Sequence, residues 1–88
     1  MKPAMRYHDG QQFRTAFIVS RARKWMSLLL IEDGTLIVRK APLDVERTMT
    51  EIDAGARQAR KMCCSLRRLA KKKGTSKKAR EAVQEIVA

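Results

Sequence analysis

From Gln12 to Arg21 the chain alternates, with Phe13, Thr15, Phe17 and Val19 on one side of an extended backbone and Arg14, Ala16 and Ser20 on the other. That period of two predicts a half-buried strand. The denser apolar run from Trp25 to Ile31 predicts a strand covered on both faces and therefore interior to its sheet. Trp25 opens that run and is expected in the core. Asp33-Gly34 follows directly, a dipeptide suited to a tight hairpin because glycine accepts positive φ. A third strand is expected over Thr35 to Lys40, with Leu36 and Val38 alternating against Ile37 and Arg39.

Pro42 interrupts the pattern, since it donates nothing to a ladder, and a turn or short 3₁₀ segment is expected across Ala41-Pro42-Leu43-Asp44. Residues 46–52 fit either a short strand, favoured by Thr48 and Thr50, or a helix, and the strand is preferred. From Asp53, read as an N-cap, the period becomes helical: Ala56, Ala59, Cys63, Leu66 and Ala70 form a stripe that Met62 and Leu69 widen. Gly74 predicts a stop, and Thr75 or Ser76 caps a second helix with Ala79, Ala82, Val83, Ile86 and Val87 inward. The expected fold is α+β: a small antiparallel sheet or SH3-like barrel of three to five strands over residues 1–52, then a basic helical hairpin over residues 53–88, within one compact domain. The sequence shows neither an internal repeat nor a low-complexity linker.

Leu, Ile, Val and Phe number nineteen of 88 residues, enough for a small core and no more. A chain this short buries a modest share of its surface, so self-association is a reasonable supplement and a homodimer is one expectation. Cys63 and Cys64 are adjacent and have no third cysteine, which excludes a disulfide scaffold. No apolar run is long enough to span a bilayer, and the first residues lack a signal-peptide core. The expectation is a soluble protein of a reducing cytoplasm.

Charge changes the picture most. Twenty Lys and Arg against nine Asp and Glu leave a formal +11. Residues 1–44 hold eight basic and four acidic groups, residues 45–88 twelve and five. The window from Ala54 to Arg80 contains eleven basic residues and no acidic one. At 100° per residue, Arg57, Arg60, Lys61, Arg67, Arg68, Lys71 and Lys72 gather opposite the apolar stripe, and Lys73, Lys77, Lys78 and Arg80 extend the basic run. Like charges at i,i+4, as in Arg57 with Lys61 and Arg67 with Lys71, repel, and a row of phosphates would relieve them. A second cluster, Arg21, Arg23 and Lys24, occupies the turn between the first two predicted strands, where a basic hairpin tip can enter a groove or follow a backbone. The plain alternatives are a solvated face kept for solubility and a polar turn that protects the sheet. A membrane-surface helix is disfavoured because the apolar face is built from Ala and Cys more than from Trp, Phe and Leu.

Catalytic chemistry finds no support in the residues. His8 is the only histidine, which with two vicinal cysteines lacks zinc-ligand spacing. The four glycines lie far apart, so no phosphate loop exists, and no carboxylate cluster suggests a magnesium-dependent nuclease. No catalytic residue, metal or cofactor is assigned. Cys64, set among Arg60, Lys61, Arg67 and Arg68, leaves a thiol switch as a minor possibility.

The order of elements from Tyr7 to Ile52, a strand, a basic hairpin, a Trp-led strand, an Asp-Gly turn, a third strand, a Pro-Leu-Asp turn and a short last strand, resembles the small SH3-like or KOW-type β-barrels. That resemblance implies binding of nucleic acid or protein, not catalysis. Compact size and basicity are similar to bacteriophage accessory proteins, which would place the chain in a host cytoplasm or on its nucleoid. The expected function is non-enzymatic nucleic-acid binding, double-stranded DNA first and structured RNA second, through Arg57, Arg60, Lys61, Arg67, Arg68, Lys71, Lys72, Lys73, Lys77 and Lys78 with Arg21, Arg23 and Lys24 as a second contact. The rival expectation is an interaction protein that docks its basic helix on an acidic surface of a host protein or nucleic-acid enzyme, with Trp25, Met49, Met62 or Leu69 as anchors.

Overall fold

Met5 and Tyr7 alternate with Arg6 and His8, and these four residues form a strand absent from the expectations above, β1 (Met5–His8). The computed structural model describes all 88 residues. It continues with β2 (Phe13–Arg21), β3 (Trp25–Glu32), β4 (Thr35–Pro42), a 3₁₀ helix (Leu43–Thr48), β5 (Thr50–Glu51), α1 (Ala56–Ala70) and α2 (Lys77–Val87). The strands make one open antiparallel sheet in the order β4-β3-β2-β1-β5. The fold is therefore α+β, an open sheet followed by a helical hairpin.

The Asp-Gly turn forms as its chemistry requires: Asp33 and Gly34 both take positive φ, 50° and 73°, and set Glu32 opposite Thr35. Pro42 does not end β4 early. It pairs with Trp25, and because β4 is an edge strand its missing N–H leaves no gap in the ladder. The 3₁₀ turn then follows it and takes residues 46–48, so only Thr50 and Glu51 of the ambiguous segment become strand.

Both faces of the sheet are covered. On one, Phe17, Leu29 and Leu36 meet Leu66 of α1, Ala79, Ala82, Val83 and Ile86 of α2, and Ala4. On the other, Ala16, Ile18, Met26, Leu28, Leu30 and Ala41 pack with Met49, and Leu43 and Val45 of the 3₁₀ helix close over them. The second cluster corrects the reading of β2 as half-buried: Ala16 and Ile18 are core residues, because the 3₁₀ segment folds back under the sheet. Leu28, Leu29 and Leu30 are all fully buried, as a strand sandwiched between two layers demands.

Two further expectations are overturned. Trp25 is 52% exposed: strand alternation puts it on the helix-covered face with Ser27 and Leu29, but the cover given by α2 stops at a groove lined by Ser20, Ser27, Lys40, Lys78 and Gln84, one step short of the indole. Asp53 does not cap α1. Gly55 holds that position, with no side-chain cap, because the chain must first bring Ile52, whose N–H reaches the Ala4 carbonyl at 2.9 Å, onto the core before the helix can start. The apolar stripe of α1 also begins later than its spacing suggests, with Ala56 exposed, Cys63 half-buried and the packing carried by Met62, Leu66, Leu69 and Ala70. Cys64 faces solvent.

The link between the helices follows the expected chemistry. Gly74 takes φ 93°, the Thr75 hydroxyl donates to the Leu69 carbonyl at 2.9 Å, and the Ser76 hydroxyl accepts from the Ala79 N–H at 3.1 Å as the N-cap of α2. At its far end α2 is tied down by the Lys2 N–H on the Ile86 carbonyl at 2.8 Å. No helix is long and apolar enough to cross a membrane.

Candidate nucleic-acid interface

Burying Met62, Leu66 and Leu69 against the sheet fixes the rotation of α1 and so decides what its opposite face shows. Arg57, Arg60, Lys61, Arg67, Arg68, Lys71, Lys72 and Lys73 are all exposed, and so are Lys77, Lys78 and Arg80. None of these eleven cations has a carboxylate within ion-pair distance: the salt bridges in the molecule are Arg14 to Asp9 and Glu32, Arg21 to Glu46, and Arg39 to Glu32. The ion pairs all fall within the sheet half, whereas the cations from Arg57 to Arg80 keep their charge unneutralised.

Helix electrostatics divide these cations into two groups. Arg67 and Arg68 sit in the last turn of α1, where the helix dipole favours positive charge and a structural role is sufficient. Arg57 at the start of α1, and Lys77 and Lys78 at the start of α2, stand at the wrong ends, and neither first turn contains an acid. Each such placement costs a few tenths of a kcal/mol to about 1 kcal/mol, a cost that an external anion removes. Two members of the run also brace the fold, for Lys72 donates to the Gly34 carbonyl at 3.3 Å and Arg80 to the Thr75 carbonyl at 2.7 Å.

The hairpin cluster divides too. Arg21 spends its guanidinium on Glu46, with Nε and Nη2 each 2.8 Å from a carboxylate oxygen; the contact raises the guanidinium's pKa and holds the Glu46 carboxyl below its usual range. It clamps the end of β2 to the 3₁₀ helix. Arg23 and Lys24 remain exposed and unpaired, and with Arg47 they rim an open hollow floored by Leu43, with Asp44 and Glu46 at its edge. Arg47 was missed from sequence because it lies 23 residues beyond Lys24, across β3 and β4. The backbone around the cluster is pinned, with the Ala22 N–H on the Trp25 carbonyl at 2.7 Å and the Leu43 N–H on the Lys24 carbonyl at 2.9 Å.

The two clusters are held apart. Lys72 marks where the C-terminal end of α1 meets the β3–β4 turn at Gly34, while Arg23 and Lys24 precede the opposite end of β3. Eight residues of strand separate those ends, about 25 Å at ~3.3 Å per residue. The molecule itself measures 31 × 29 × 26 Å, so the C-terminal end of α1 and the Arg23–Lys24 turn lie at opposite margins, while Lys78 of α2 reaches the groove lined by Ser20, Ser27 and Lys40.

His8 makes an edge contact with Phe13, ring centroids 4.8 Å apart, and its Nδ1 accepts from the Gly10 N–H at 3.0 Å. The residues form no group of three or more His, Cys, Asp or Glu arranged to hold a metal ion. No family model matches this chain, and no curated protein or solved structure matches it.

Proposed function

We propose that this protein is a non-enzymatic nucleic-acid-binding protein of the cytoplasm that grips double-stranded DNA, and secondarily structured RNA, through phosphate contacts. The observation that carries the reading is the set of eleven exposed cations between Arg57 and Arg80 without a single ion-pairing carboxylate. α1 is fifteen residues long, about 22 Å. That length runs beside about six phosphates of one strand at ~3.4 Å of axis each. Arg57, Arg60, Lys61, Arg67, Arg68 and Lys71 supply a matching row on one helix face. Strand order β4-β3-β2-β1-β5 with a 3₁₀ turn before β5 supports the likeness to small SH3-like barrels, here with the sheet left open, and such modules are binders.

The test is a binding titration over salt. With about six phosphates neutralised, log K falls against log salt with a slope near −5 on duplex DNA. Replacing Arg57, Arg60 and Lys61 by Gln brings that slope closer to zero by about three and leaves the fold intact, since all three side chains are in solvent. Binding that ignores salt, or a stoichiometric complex with an acidic protein that survives nuclease treatment, would replace this reading with the protein-docking one.

A further inference from the structure

We infer that Trp25 is a stacking surface for an unpaired nucleobase, so that the protein takes nucleic acid in which a duplex adjoins a single strand; the inference rests on the function proposed above. Two large aromatics are exposed, Phe13 at 57% and Trp25 at 52%. They are not equivalent. The Arg6 guanidinium already covers the Phe13 ring at 3.9 Å and His8 meets it edge-on, so that ring is occupied from within the chain. Trp25 has no aromatic or cationic partner.

The indole also stands on a fixed base. Its residue is the first of β3, paired with Pro42 and hydrogen-bonded across the hairpin to Ala22, so little backbone entropy is lost when a ligand settles on it. Charge around it suits a phosphate backbone. Arg23 and Lys24 are exposed on the adjoining turn, and Lys40, opposite Ser27, is a diagonal neighbour on the same face. Glu81 and Glu85 line the groove on this face together with Lys40 and Lys78, while Asp44 edges the hollow under the other face. An aromatic face beside unpaired cations is the chemistry that holds single strands, base on ring and phosphate on ammonium or guanidinium. A base inside a duplex cannot reach such a surface without leaving its stack.

Trp25 is the sole tryptophan, so its emission reports the contact directly. The probes are a blunt duplex, the same duplex with a thymidine overhang of about eight nucleotides, and that overhang made abasic throughout. Expected are quenching by the thymidine overhang alone and an affinity for it about five- to hundredfold above the abasic one. Trp25→Ala should erase that difference and Trp25→Phe retain part of it, with blunt-duplex binding unchanged in both. Equal affinity for the two overhangs with unaltered emission, while duplex binding stays salt-sensitive, overturns the stacking role and leaves the proposed function standing. Failure of all three probes to bind removes the reading beneath it. An emission shift that grows with protein concentration in the absence of oligonucleotide also overturns it, by assigning Trp25 to a contact between copies of this chain.

Discussion

At the scale of single residues, Asp9 organises more than its position in a loop suggests. Its carboxylate accepts from the Gln11 and Gln12 N–H groups at 2.8 and 2.9 Å and from Arg14 Nε, and Arg14 in turn lies 3.2 Å from Glu32. The Arg14 contact first, then the two backbone donors, hold the Asp9 carboxyl far below its ordinary range. A carboxylate depressed by folding contributes stability that is complete above its unfolded value, about 4, and is lost as pH falls below it. Asp9→Asn should therefore be less stable than the parent at neutral pH, with the gap closing under acid; thermal unfolding from neutral pH down to about 2 would show this, and parallel curves would refute it. Sequence reasoning grouped Arg21 with Arg23 and Lys24, but only the fold reveals that Arg21 serves Glu46 while its two neighbours are free.

At the scale of elements, α1 is amphipathic along its length but packed only over its second half. Leu66 is fully buried between the sheet and α2, so Leu66→Ala should cost about 2–5 kcal/mol. Ala56 is exposed on the overhanging first turn, and Ala56→Ser should change stability by no more than about 0.5 kcal/mol. Ser76→Ala, which removes the cap of α2, falls between at about 1 kcal/mol. Denaturant midpoints of the three variants check the order, and a large loss at Ala56 would mean the first turn packs after all. The helical stripe was legible because its period is local; where along the stripe packing begins depends on where the sheet and α2 meet it, from Met62 onward.

At the scale of the whole molecule, the C-terminal end of α1 and the Arg23–Lys24 turn are about 25 Å apart, which spans about seven base pairs at ~3.4 Å each. On the proposed function, a nucleic acid shorter than that engages only one of these two ends. Affinity measured against oligonucleotide length at constant salt should rise in a step near this span, because the second contact then becomes intramolecular. A smooth rise proportional to length would mean that α1 acts alone. Charge segregation underlies the expectation: the arginines Arg14, Arg21 and Arg39 pair with Asp9, Glu32 and Glu46 within the sheet half, while the run from Ala54 to Arg80 carries no acid of its own.

The residues alone determined the α+β class, the Asp33-Gly34 hairpin, the Gly74 and Ser76 boundary between the helices and the acid-free basic run, because turn chemistry, capping and helical period act over a few residues. Tertiary structure decided what each surface meets. It drew Ala16 and Ile18 into a second core by folding the 3₁₀ helix beneath the sheet, took Arg21 out of the free charge, and left Trp25 in solvent because α2 ends its cover one residue pair too early. Burial is a property of the opposing layer, and the opposing layer comes from segments twenty to sixty residues away in the chain, where no local pattern reaches.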